Sequence, residues 1–173
     1  MIRHHPQAIV LGLGCNLGPR RTTLELAYRL LERAGVRIAD HSRLYWTRPW
    51  GFTPQPPFIN AALALRARWR PLELLWRCQW VERELGRRRH GPSWGPRRID
   101  IDLLLFGNLQ RNDDRLQLPH PRIPQRDFVL RPLLDLQVPP IPRIAPHGWA
   151  ALLARLRPEQ RTIIQTQPWR PNR

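Results

Sequence analysis

A chain of 173 residues, 42% of them hydrophobic, is long enough to build one compact core, and a single domain over 1–173 is the expectation. It carries 29 basic against 13 acidic residues, a net charge of +16, and since the sequence contains no lysine every base is an arginine. A Schiff-base lysine and a Walker A lysine are thereby excluded. No apolar run approaches the roughly 20 residues of a membrane-spanning helix, and MIRHHPQAIV lacks a signal-type apolar stretch, so a cytoplasmic location is expected.

The elements follow in chain order. Residues 8–13 form an apolar strand that stops at 14–18, after which Leu24, Ala27, Leu30 and Leu31 recur at helical spacing until Gly35. The Gly12, Gly14 and Gly18 spacing departs from a dinucleotide-binding fingerprint and reads as a tight turn. Residues 36–47 alternate as a second strand and enter a proline-stiffened loop over 48–57. Phe58 to Leu65 is a strand, Pro71 opens a helix at its first position, and Gly86 closes it. Ile99 to Phe106 is a further strand that turns at Gly107 and Asn108. Prolines crowd 119–146, which reads as largely loop, and Trp149, Leu152, Leu153 and Leu156 suggest a last helix. The order β-α-β-β-α-β predicts an α+β fold: a ferredoxin-like antiparallel sheet with helices on one face and long active-site loops. Cys15 and Cys78, far apart and without partner cysteines, read as buried small hydrophobes.

The stretch WGPRRIDIDLLLFG, residues 94–107, places two acids two residues apart in an apolar strand. Side chains at i and i+2 share a face, so Asp100 and Asp102 project together with Cα atoms about 7 Å apart. Two neighbouring carboxylates among apolar residues repel unless a cation or arginine compensates them, and Mg²⁺ suits one or two carboxylates plus phosphate oxygens and water. The competing reading is a pair of exposed acids matched by Arg97 and Arg98. Upstream, 86–96 is basic and punctuated by glycine and proline, a candidate closing segment from which Arg87, Arg89 and Arg97 reach a triphosphate; Trp94 is an aromatic in that polar run. His120, Arg122, Arg126 and Phe128 fall in a proline-bound loop suited to phosphate contact, and Phe58 with Asn60 offers a ring and an amide to a heterocycle.

Together LGLGCNLG, LYWTRPWG, QPPFINAAL, LGRRR, WGPRRIDIDLLLFG, LPHPR and RDFVLRPLLDL, in that order over residues 8–136, resemble the 6-hydroxymethyl-7,8-dihydropterin pyrophosphokinases of folate biosynthesis. The resemblance implies transfer of pyrophosphate from ATP to the pterin alcohol, giving AMP, with Asp100 and Asp102 as ligands of two Mg²⁺ ions and Arg87 and Arg97 acting on the phosphates. It implies an ATP site of Gln79, Glu82, Arg89, Trp94, Arg97, Leu103, Arg115, His120 and Arg126. The pterin is expected between Phe58 and Phe128, with Thr47, Trp50, Gly51 and Asn60 around it. Phe58 stands where many members carry tyrosine, His90 where lysine is common, and Trp50 where some relatives have an aliphatic residue. The expected partners are ATP and a pterin alcohol, acted on by a monomer, with neither membrane nor nucleic acid.

The rival is a nucleic-acid-binding ferredoxin-like module, favoured by the +16 charge and eight tryptophans. Against it, the strand IDIDLLLF carries two acids that repel phosphates in the absence of metal, and no RNP-like string occurs. A pterin-binding protein without turnover is opposed by the intact acids.

Overall fold

The computed structural model describes residues 8–50, 54–66, 69–87 and 95–171. Strand β1 (Ile9–Cys15) leads into helix α1 (Arg20–Arg33), followed by β2 (Arg37–His41), β3 (Leu44–Thr47), β4 (Phe58–Arg66), α2 (Pro71–Glu84) and β5 (Asp100–Phe106). A two-stranded hairpin, β6 (Arg111–Asn112) and β7 (Gln117–Leu118), precedes α3 (Asp127–Asp135), α4 (Trp149–Ala154) and β8 (Ile163–Gln167). The main sheet runs β5-β1-β4-β3-β8, with β2 also on β4, and the pairings between its strands are antiparallel. Because β4 lies between β1 and β2, α1 crosses over a strand, which is the split βαβ connection expected from the element order.

Helix ends follow local chemistry. Pro71 opens α2, the Glu73 carboxylate accepts the Arg70 N–H at 3.0 Å, and Gly35 and Gly86 close α1 and α2 with φ of +83° and +78°. Leu24, Ala27, Tyr28 and Leu31 of α1 and Leu74, Cys78 and Val81 of α2 pack on one sheet face against Leu11, Leu13 and Cys15 of β1 and Ile101 and Leu103 of β5. Both cysteines are buried without a disulfide; burial pushes the Cys15 thiol up to about 12 and raises Cys78 further, so neither is a thiolate at neutral pH.

Four differences from the sequence reading stand out. The single strand over 36–47 is two strands, broken at Ser42 and Arg43. Ser42 stitches the break, donating its N–H to the Ala62 carbonyl at 2.9 Å and accepting the Ala62 N–H on its hydroxyl at 2.8 Å. Helices cover both faces of the sheet, since α3 and α4 bury Val129, Leu130, Leu133 and Trp149 against Val10, Ala62 and Leu104 on the side opposite α1 and α2. The proline-rich stretch contains α3, with Pro132 inside it, because the burial of Leu130 and Leu133 outweighs one lost backbone bond. Finally, α4 stops at Ala154, short of Leu156, and the chain returns to the sheet as β8 on β3. Among the described residues no helix is long and apolar enough to cross a membrane.

Candidate active site

Strand register builds the floor of the site. Gly14 lies between Asn60 of β4 and Asp100 of β5, and Gly12 between Ala62 and Asp102, so two rows cross three strands on the face toward α3. The glycines make room there: a Cβ on Gly14 would come 2.8 Å from Asn60 Oδ1, and one on Gly12 would come 3.0 Å from Leu104 Cδ1. Gly12 and Gly14 are therefore strand residues under a cavity, and of the three spaced glycines it is Gly18, at φ +68°, that takes up the turn. Asn60 is fixed from its other side by donating from Nδ2 to Thr47 Oγ1 at 2.9 Å.

Above this floor is a cavity of about 270 Å³. Its walls bring together Arg87, Arg97, Asp100, Asp102, His120 and Arg126 with Thr47, Trp50, Phe58, Asn60 and Phe128. These residues come from β3, β4, β5, the start of α3 and the connections around them, far apart in sequence and joined by the fold. Helix α3 is held over the cavity by Asp127, whose carboxylate accepts the Thr162 N–H at 2.6 Å, the Thr162 hydroxyl at 2.7 Å and the Ile163 N–H at 2.9 Å. That anchorage sets both Arg126, at the helix start, and Phe128, in its first turn. Phe128 is thus helical, not a loop residue.

The charges are interlocked. Asp100 Oδ1 lies 2.7 Å from Arg87 Nη1, and Asp100 Oδ2 lies 2.5 Å from Arg97 Nη1. Arg87 also pairs with Glu82, whose Oε1 accepts the Ile101 N–H at 2.7 Å. Burial holds the Glu82 carboxyl above its usual range, against the pull of Arg87. Asp102 is pushed up to about 7, first by burial and then by the Asp100 charge, with Arg126 opposing. An ionised Asp102 is accordingly short of compensating positive charge. His120 is pushed down to about 4 by burial and by Arg126 and Arg122. Its Nδ1 accepts the Arg122 N–H at 3.2 Å, which places the proton of the neutral ring on Nε2. The His120 N–H donates to the Leu104 carbonyl at 2.8 Å, tying this segment to β5.

Other expected residues fall elsewhere. Leu103 is 3% exposed and packs in the core beneath α1 and α2, because strand alternation turns it away from Asp102; Leu104 lines the cavity instead, and the Leu103 side chain is removed from it. Arg115 is exposed between β6 and β7, and Gln79 lies on α2; neither lines the cavity. Glu82 sits behind Arg87 as its support. Gly51, Arg89 and Trp94, with His90, lie outside the described residues.

Sequence reasoning passes over Asn16. It is 2% exposed, donates its N–H to the Arg97 carbonyl at 3.1 Å and accepts the Arg97 N–H on Oδ1 at 2.8 Å. From Nδ2 it donates to Gln55 Oε1 at 2.9 Å and to the Pro56 carbonyl at 3.1 Å. Asn16 thus joins the end of β1 to the segments before β4 and before β5. Its signal is a side-chain amide directly after the first strand.

Residues 10–138 match the family model described as 7,8-dihydro-6-hydroxymethylpterin-pyrophosphokinase (HPPK). A Porphyromonas gingivalis protein named 2-amino-4-hydroxy-6-hydroxymethyldihydropteridine pyrophosphokinase is 43% identical over 131 residues, 74% of this chain and 89% of that protein. An Arabidopsis thaliana folate synthesis bifunctional protein is 41% identical over 130 residues, 75% of this chain, and the match spans 27% of the plant protein. A crystal structure of wild-type Plasmodium falciparum HPPK-DHPS with SDX-DHP superposes with a TM-score of 0.63 over 86% of this chain and 43% of that one, at 15% identity, a likeness of fold.

Proposed function

The chain belongs to the 7,8-dihydro-6-hydroxymethylpterin-pyrophosphokinase family, and on that premise we propose that it transfers pyrophosphate from ATP to 6-hydroxymethyl-7,8-dihydropterin, releasing AMP, in folate biosynthesis. The observation that carries the reading is a cavity whose lining joins two same-face carboxylates to arginines, His120, aromatic rings and the Asn60 amide. The reading extends to a cytoplasmic monomer whose single domain covers 1–173.

In this scheme Asp100 and Asp102 hold two Mg²⁺ ions. The residues present fit them: Asp102 is a half-buried carboxylate beside a second one, and two carboxylates leave the remaining ligand positions of Mg²⁺ to phosphate oxygens and water. Bound there, magnesium supplies Lewis-acid stabilisation of the entering and leaving oxygens. Arg87 and Arg97 orient Asp100 from two sides and keep further N–H donors for phosphate, since each guanidinium has five. His120 presents Nε2–H, and Arg126 a cation, to the same phosphates. Arg89 and Trp94, with Gln79, Glu82, Leu103 and Arg115, complete the proposed ATP site, the last four from beyond the cavity walls.

The pterin is placed at the other end. Phe58 and Phe128 supply flat apolar walls, Trp50 a third ring, and Asn60 and Thr47 the polar edge, with Gly51 assigned to the same end by resemblance alone. The pterin hydroxymethyl oxygen then attacks the β-phosphorus in line as AMP departs, and no protein nucleophile takes part. Incubating the protein with ATP, Mg²⁺ and 6-hydroxymethyl-7,8-dihydropterin tests this: AMP and the pterin diphosphate are expected, and formation of ADP, or of no product, sinks the reading.

A further inference from the structure

The Arg126 guanidinium carbon lies 5.1 Å from the Trp50 ring centroid and 5.5 Å from that of Phe128, so one flat cation covers two rings at the aromatic end of the cavity. Its Nε is buried and has no hydrogen-bond partner among the described residues. A guanidinium normally satisfies its planar fork with oxygen acceptors. Here it is held by cation–π attraction with a buried donor left unmet, a placement in which any acceptor that completes the fork competes well. Such acceptors belong to the other end of the cavity, where Asp102 and Asp100 attract the same side chain and a triphosphate would add oxygens.

The 2-amino-pyrimidinone half of a pterin is a cyclic guanidine, a planar carbon bonded to three nitrogens. Arg126 offers the same planar unit to Phe128, one wall of the proposed pterin slot, and to Trp50 beside it. Two flat groups cannot both lie on one ring face.

We infer that Arg126 is an internal occupant of the aromatic slot, lying on Trp50 and Phe128 while the slot is empty and moving to the acid and phosphate end of the cavity when a pterin enters. This rests on the proposed function and deepens it, making Arg126 a positioning residue that both substrate subsites share. A site occupied by its own side chain binds ligand more weakly, in proportion to the fraction of time it stands open. Trp50 gives the occupant its second ring, so the device belongs to this chain's own residues.

The test is calorimetric titration of 6-hydroxymethyl-7,8-dihydropterin into the wild type and Arg126→Gln, without nucleotide or metal. Losing two partly desolvated cation–π contacts from the competitor predicts pterin binding tighter by about fivefold or more in the variant. Equal or weaker binding by the variant overturns the inference. No pterin binding by either protein, with or without Mg²⁺ and a non-hydrolysable ATP analogue, overturns the proposed function and the inference with it. A second measurement needs no variant. In wild type the Arg126 Nε–H resonance carries an upfield ring-current shift that disappears as pterin is added; a signal already unshifted, or unmoved at saturation, overturns the inference even should Arg126→Gln fail to fold.

Discussion

Glu82 and Asp100 share a single cation: Arg87 Nη1 pairs with Glu82 Oε1 and lies 2.7 Å from Asp100 Oδ1. The acid on α2 therefore helps set where the acid on β5 finds one of its two arginines. Glu82→Gln keeps an oxygen for the Ile101 N–H and removes only the charge, so turnover is expected to fall about tenfold as Arg87 loses half its seat, with little change in melting temperature. Glu82→Ala also strands a buried N–H and is expected to cost about 1–3 kcal/mol of stability. Paired steady-state kinetics and thermal melts separate the two; equal melting losses in both variants contradict this division of roles.

Asp102 is expected to show the reverse pairing of effects. Its carboxylate is destabilised by burial and by Asp100, so Asp102→Asn relieves a like-charge cost in protein kept free of metal with EDTA at pH 8. A gain on the order of 1–3 kcal/mol is expected, together with loss of turnover by about a thousandfold or more in the presence of Mg²⁺. Denaturant unfolding and a product assay read the two effects. A destabilised variant, or one with near-normal turnover, refutes the assignment.

Gly14→Ala tests the floor of the cavity. The added methyl would stand 2.8 Å from Asn60 Oδ1, so the Asn60 amide must turn and give up its 2.9 Å bond to Thr47. The KM for the pterin is expected to rise about tenfold, the loss of one or two hydrogen bonds, while the KM for ATP stays within about twofold. Gly12→Ala presses instead on a flexible leucine methyl and is expected to be milder. The opposite ranking contradicts this account.

His120 predicts a pH dependence with a definite sign. Its folded pKa is pushed down to about 4 from 6.5, so as pH falls through 6.5 the unfolded chain takes up a proton that the folded chain refuses. Stability carried by the neutral ring is therefore complete above pH 6.5, is lost as pH drops toward 4, and changes no further below that. Melting temperatures of wild type and His120→Gln from pH 8 to pH 4 should diverge in this window, with the wild type the more acid-sensitive. Parallel curves contradict the assignment.

Strand β5 and helices α1 and α2 are legible in the sequence because their signals are local: two acids at period two, leucines at helical spacing, Pro71 at a helix start, Gly35 and Gly86 at helix ends. Gly12 and Gly14 read as a turn because their role depends on register; only the pairing that sets Asn60 and Asp100 on either side of Gly14 shows that a side chain there would fill the site. Helix α3 is hidden by the prolines around it, since its formation depends on burial against a distant sheet face. Leu103 shows two kinds of sequence argument disagreeing. Resemblance assigns it to the ATP site, whereas alternation from Asp100 and Asp102 turns its side chain to the opposite face, where the structure places it. The seat of Arg126 on two rings could not be read locally, as Trp50 is far from it in sequence.

The bonds that fix the site also close an edge. Strand β5 pairs with β1 along one side, and its outer side would otherwise display free backbone groups of the kind that recruit a strand from another chain. Glu82 takes the Ile101 N–H, and the His120 N–H takes the Leu104 carbonyl. Two residues proposed for the nucleotide site thereby also occupy a sheet edge, and a variant that loses the Glu82 carboxylate is expected to expose the Ile101 N–H there to strand addition.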